Sequence, residues 1–170
     1  MRNKIRLIII TCLCGLALLC GCGKKDKKLE KYYDDMASFT QELTVLSDKM
    51  DSLDAANEDS VDTMLKILDS MDSLFEEMSN YEVPDQFASN EELSKDAYAY
   101  MHEAVNKYHQ YYEDSETDIN IADAALENYS RAMTRVEYIS IILQGEMPEG
   151  SGVEITEEES TDFAPVTEDD

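Results

Sequence analysis

The chain has no tryptophan, three prolines, six glycines and two histidines in 170 residues. So few chain breakers leave room for long helices, and no useful stretch alternates apolar with polar residues as a half-buried strand would. Scarce histidine also limits metal and acid–base chemistry. His102 and His109 lie seven apart, two helical turns or ~10 Å, too far to share one ion at bonds of ~2 Å. Neither forms a His-Glu-x-x-His pattern. The Glu-x-x-His pairs of di-iron bundles are missing too, because Ala99 and Asn106 stand where the glutamates belong. Both histidines are expected on a helix surface or packed at its edge.

Positive charge is the next scarcity. Fourteen Lys and Arg face 38 Asp and Glu, a formal charge of −24. Nucleic acid is excluded as a partner, since phosphate binding needs a basic face. Five of the lysines crowd into residues 24–31, and only six Lys or Arg follow. Cysteine is confined as well: Cys12, Cys14, Cys20 and Cys22 are all the chain has. Residues beyond 22 therefore form no disulfide, no thiolate metal site and no cysteine nucleophile.

What is present starts with a targeting pattern. Arg2, Lys4 and Arg6 precede an uncharged, mostly apolar run of 14 residues from Leu7 to Cys20. A spanning helix needs roughly 20 apolar residues and a signal h-region about 7–15. The length favours a cleaved signal, with a short uncleaved membrane helix as the alternative. The run ends in Leu19-Cys20-Gly21-Cys22, which resembles the lipobox of bacterial lipoproteins: leucine at −3, a small residue at −1, cysteine at +1. Cys20 at −2 departs from the usual alanine, serine or threonine. It is also the alternative modified residue, although Leu19 before it is not small.

The resemblance implies a lipoprotein signal peptide over 1–21, cleavage before Cys22, and diacylglycerol on the Cys22 thiol. Two acyl chains such as palmitate, at ~0.8 kcal/mol per buried CH₂, suffice for stable anchoring. The mature chain would sit on the outer face of the cell membrane with a formal charge of −27, having lost Arg2, Lys4 and Arg6. Residues 22–28 then form the lipidated cysteine and a basic spacer. Its Lys24, Lys25, Lys27 and Lys28 gain ~1 kcal/mol each beside anionic headgroups, or act simply as a solvated spacer.

From Leu29 the apolar residues step by three and four through Tyr32, Met36, Phe39, Leu43, Leu46, Met50 and Leu53, one face of a helix. A second stripe runs Val61, Met64, Leu68, Met71, Phe75 and Met78. Asn57 and Ser60 fall where the first stripe would continue, which argues for a break capped by Asp59 or Ser60. One long helix with a stutter is the alternative. Pro84 breaks the chain within 80–88, and Ser89 with Glu92 gives a capping-box pattern. A third helix carries Leu93, Ala97, Tyr100 or Met101, Ala104, Tyr108 and Tyr111. A fourth carries Ile119, Ala122, Leu126, Tyr129, Met133, Val136, Ile139 and Leu143, with Asp118 as N-cap and Gly145 as stop. The expected fold is all-α: an antiparallel up-down-up-down four-helix bundle over 29–144. Residues 145–170, with ten acids and no Lys or Arg, are expected to form a disordered acidic tail.

Little in the body points to catalysis. Asp48, Asp51, Asp54, Glu58, Asp59 and Asp62 lack the alternate spacing, central glycine and closing glutamate of a calcium loop; a solvated helix end is favoured over weak divalent binding. Met36, Met50, Met64, Met71 and Met78 read as core. Arg131 and Arg135, with Glu127 and Asn128 close in sequence, read as surface salt-bridge residues, with an anion clamp as the alternative. No residue set suggests an enzyme, and no metal or cofactor is expected. Tyr98, Tyr100, Tyr108, Tyr111 and Tyr112 share one helix and cannot all face inward. Core and edge packing is the favoured reading of these tyrosines; tyrosine also suits interfaces, which makes Tyr98, Tyr108, Tyr111 and Tyr112 the candidate partner-binding residues for a protein or glycan.

Lipobox, lysine-rich spacer and helical body together resemble small lipoproteins of Gram-positive bacteria, some of which open a third helix with Pro-x-x-aromatic, as Pro84-Asp85-Gln86-Phe87 does here. The expectation is a non-enzymatic, membrane-anchored helical module that binds an envelope protein or cell-wall component. A small-molecule or divalent-ion receptor lipoprotein and a purely structural spacer are the alternatives.

Overall fold

The computed structural model describes residues 26–54, 57, 59–113 and 118–148. Four long helices form one bundle: α1 (Lys27–Asp51), α2 (Ser60–Ser79), α3 (Ser89–Glu113) and α4 (Ile119–Leu143). A single 3-10 turn, Asp85–Phe87, separates α2 from α3, and there is no strand among the described residues. The expected signal peptide, Cys22, Lys24, Lys25 and most of the acidic tail lie outside the described residues.

The helix ends follow local chemistry. Asp26 caps α1 by accepting the Lys28 backbone N–H at 3.0 Å, so the helix opens two residues before Leu29 and takes in Lys27 and Lys28. Asp118 caps α4 by accepting the Asn120 N–H at 2.9 Å. At the far end of α4, Gly145 adopts φ +78°, donating to the Ile142 carbonyl, while the Glu146 N–H reaches back to Ile141. That is a Schellman closure, whose left-handed residue favours glycine.

Helices α1 and α2 are separate: Ser52 ends α1 by donating to the Asp48 carbonyl, and the Asn57 side chain accepts the Asp59 N–H at 3.1 Å. The capping-box pattern at Ser89 plays out differently. Ala88 already has helical angles, φ −50° and ψ −34°, and the 3-10 turn runs straight into α3. Ser89 is therefore inside the helix rather than in the extended geometry of an N-cap.

One core spans all four helices. Tyr32, Met36, Phe39 and Leu43 bury the first half of the α1 stripe, and Leu46, Met50 and Leu53 are only half-buried. Phe39 meets Phe75 edge-on at 5.4 Å, a pairing worth ~0.5–1.5 kcal/mol beyond its area. Phe87 from the 3-10 turn plugs the base, 5.8 Å from the Tyr33 ring and 6.1 Å from that of Tyr32. At this corner the Asn90 amide, fully buried, donates to the Tyr32 hydroxyl at 3.3 Å. Lys28 reaches the same corner, 3.4 Å from Glu82.

Helices α3 and α4 approach each other most closely. The reason is residue size: Ala97 and Ala104 on α3, and Ala125 and Ala132 on α4, are all fully buried. Each pair is spaced by seven, so a line of methyl groups faces inward on both helices and lets the backbones draw together. The apolar stripe expected on α4 holds from Tyr129 through Met133, Val136, Ile139 and Leu143, which lie in or against the core, and is corrected at its start. Ile119 and Leu126 face solvent, at 63% and 59% exposure, while Ala125, Ala132 and Ile139 make the buried line.

Candidate functional site

Helix α3 positions nearly all the residues singled out for chemistry or binding. Its inward line is Ala97, Met101 and Ala104, with Val105, so of Tyr100 and Met101 it is the methionine that is buried. The tyrosines are left around the rim. Tyr98 is half-buried, its ring 5.7 Å from the His102 ring. Tyr100 is half-buried under both arginines of α4, with Arg131 and Arg135 each 5.6 Å from its centroid, cation–π contacts. Arg135 is also 3.5 Å from Asp96 on α3, a partner that the sequence reading placed elsewhere. Asn128 instead donates to the Ala124 carbonyl within α4.

Toward the end of α3 the tyrosines part company. Tyr108 packs against the core, and burial pushes its phenol pKa up, with the Tyr112 oxygen adding to the effect. The phenol pKa of Tyr129 on α4 is raised by burial first and then by Tyr108 and Asp51, and its hydroxyl lies 4.0 Å from the Met71 sulfur on α2. Tyr111 is half-buried and meets Tyr112 edge-on at 4.9 Å. Tyr112 itself is 42% exposed. Of the four candidate tyrosines, the structure presents Tyr112 openly, with Tyr111 behind it. Tyr98 and Tyr108 contribute mainly to packing.

Sequence reasoning missed the exposed apolar pair on α4: Ile119 and Leu126, two helical turns apart, share one face of that helix. Their spacing fits the expected core stripe. The signal that separates them is the alanine line one position over, which a search for large apolar residues passes by.

The two histidines form a third feature. On the α2–α3 seam the His102 ring lies 2.9 Å from Asp72, and His109 lies 2.7 Å from Asp69 and 2.8 Å from Glu113. With a carboxylate on each ring nitrogen, His109 is suited to the doubly protonated imidazolium, both nitrogens donating. Glu113 first and Asp69 next hold its pKa above the ordinary 6.5. The two carboxylates lie on opposite sides of the ring. Among the described residues no group of three or more His, Cys, Asp or Glu is arranged to hold a metal ion.

At the base, Lys28 is half-buried and engages Glu82 and Asp85, while Lys27 stands exposed on the first turn of α1. Tyr81 lies at this corner too: burial, and then the charges of Glu77, Asp35 and Glu42, push its phenol up to about 12. No described helix is long and apolar enough to cross a membrane. The chain matches no protein-family model, no curated protein and no solved structure.

Proposed function

We propose that this chain is a membrane-anchored extracytoplasmic lipoprotein whose helical body, an antiparallel up-down-up-down bundle, serves as a non-enzymatic binding module of the cell envelope. The lipobox-like Leu19-Cys20-Gly21-Cys22 supports the anchor, with diacylglycerol on Cys22. Only Gly23 to Asp26 then separate the lipid from α1, a reach of ~14 Å when fully extended. The bundle thus stands on the start of α1 and the α2–α3 corner.

The residue pairs that meet across two seams support this direction of the helices. Asp69 pairs with His109 but Asp72 with His102, and Asp96 pairs with Arg135 while Tyr100 lies beneath Arg131. In both seams the numbers run in opposite senses. The α3–α4 turn therefore points away from the membrane, about 37 Å up the 25-residue α3 at 1.5 Å per residue.

The observation that carries the binding reading is the exposure of Tyr112, Ile119 and Leu126 at that far end, above a core whose interior is occupied by Phe39, Phe75, Met71, Met101 and Ile139. The acidic tail, residues 145–170, acts in this reading as a solvating brush. The test has two arms. Cys22→Ala should leave the precursor unprocessed and release the protein from membranes; continued processing and membrane retention would overturn the anchor. On intact cells, a membrane-impermeant crosslinker should join the wild type to an envelope protein or cell-wall component. Tyr111→Ala with Tyr112→Ala should lose that product at an unchanged melting temperature, and an undiminished product would overturn the binding reading.

A further inference from the structure

Resting on that binding reading, we propose that the face of α4 bearing Ile119 and Leu126, with Tyr112 at the adjoining end of α3, docks a cationic amphipathic segment of a partner protein. Three observations select this occupant. The first is apolar exposure on an ordered helix: Leu126 is 59% and Ile119 63% exposed, and both sit at the same angular position of α4. Burying each side chain fully is worth ~1.5–3 kcal/mol. No described helix covers either residue.

The second is the charge around them. Glu113, Asp118, Asp123 and Glu127 surround this end of the bundle and are all exposed. Arg131 is engaged by Glu127 and the His109 imidazolium by Glu113, which leaves Asp118 and Asp123 among these acids. An apolar centre within an acidic rim selects a partner with an apolar stripe and flanking lysines or arginines.

The third is what the same charge excludes. A second copy would bring an identical acidic rim against this one, on a chain of formal charge −24. The chain's own tail, residues 145–170, has ten acids and no Lys or Arg, and so is repelled by the same rim. An anionic lipid surface is repelled likewise.

The experiment uses the full chain in nonionic detergent micelles and a synthetic 18-residue Leu/Lys amphipathic helix carrying a photo-crosslinker. The crosslinked residues are mapped by mass spectrometry. Crosslinks are expected on residues 112–127. They should fall about tenfold or more in the double variant Ile119→Ser with Leu126→Ser, measured in the same micelles so that peptide bound to detergent contributes equally. A Lys/Ser peptide of equal charge but without the apolar stripe should crosslink comparably weakly, as should a Leu/Glu peptide. Because both substituted residues face solvent, the melting temperature of the variant should stay unchanged. Crosslinks spread evenly over the acidic body would overturn the proposal, as would equal labelling of the variant or equal labelling by the Lys/Ser peptide. None of these outcomes bears on the membrane anchor, which the Cys22→Ala fractionation reads separately.

Discussion

Between α1 and α2 the contact is made by large side chains, with Phe39 against Phe75 at 5.4 Å and Met36, Leu43 and Met71 around them. Between α3 and α4 it is made by alanines: Ala97 and Ala104 on one side, Ala125 and Ala132 on the other. Both seams use residues spaced by three, four or seven, and both bury them. They differ in what holds them. The first is filled by bulky groups that keep the helices apart. The second is closed by backbones drawn together at its alanines, with Tyr100 left at the rim, where it meets Arg131 and Arg135. The same period thus supports two packing solutions, and the second is the one that leaves tyrosines and apolar side chains near the surface.

The contrast can be broken from either side. Phe75→Ala empties the α1–α2 seam and should cost ~3–5 kcal/mol, read as a lower urea midpoint and melting temperature. In the α3–α4 seam the sign of the size change reverses: Ala132→Leu adds volume where the wild-type side chain is fully buried, and should cost ~1–3 kcal/mol. A stabilised Ala132→Leu variant would show that the alanine line is not tightly closed.

The smallest effect belongs to the α2–α3 seam, and it depends on pH. His109 has its folded pKa raised by Glu113 and Asp69, so its contribution is fully present below the unfolded value near 6.5 and is lost as pH rises through the higher folded value. The groups facing it are Asp69 from α2 and Glu113 from α3, with the His102–Asp72 pair further along the same seam. The wild type should melt at a lower temperature at pH 8.5 than at pH 6, and His109→Gln should flatten that difference. Partial exposure of the site to solvent keeps the effect small. An unchanged slope in the variant would show that His109 is not the responsible group.

Particular residues show how far the sequence could be read. Asp118 and Gly145 were legible as helix ends because capping chemistry is local: an Asp side chain reaches the N–H two residues on, and glycine takes the left-handed φ. The break between α1 and α2 was legible as a lapse of the stripe at Asn57 and Ser60, but a stutter in one long helix gives the same lapse, and it is the Ser52 cap that separates the two. His109 was legible as an edge residue but not as the link to Asp69, forty positions away. Asn90 gave no signal, since a buried amide bonded to Tyr32 reads in sequence like any polar first-turn residue.

The sequence by itself determined the all-helical character, the four helical segments and the inward face of α1 and α2. Backbone propensity, caps and periodicity act within a few residues of each position, and large side chains mark their own face. Only the tertiary structure decided that the α4 stripe leaves the bundle at Ile119 and Leu126, while Ala125 and Ala132 are buried beside it. Periodicity tells which residues share a face but not which helix covers it. Where alanines do the covering, the buried face is also the less hydrophobic one. That choice is what turned Ile119 and Leu126 outward.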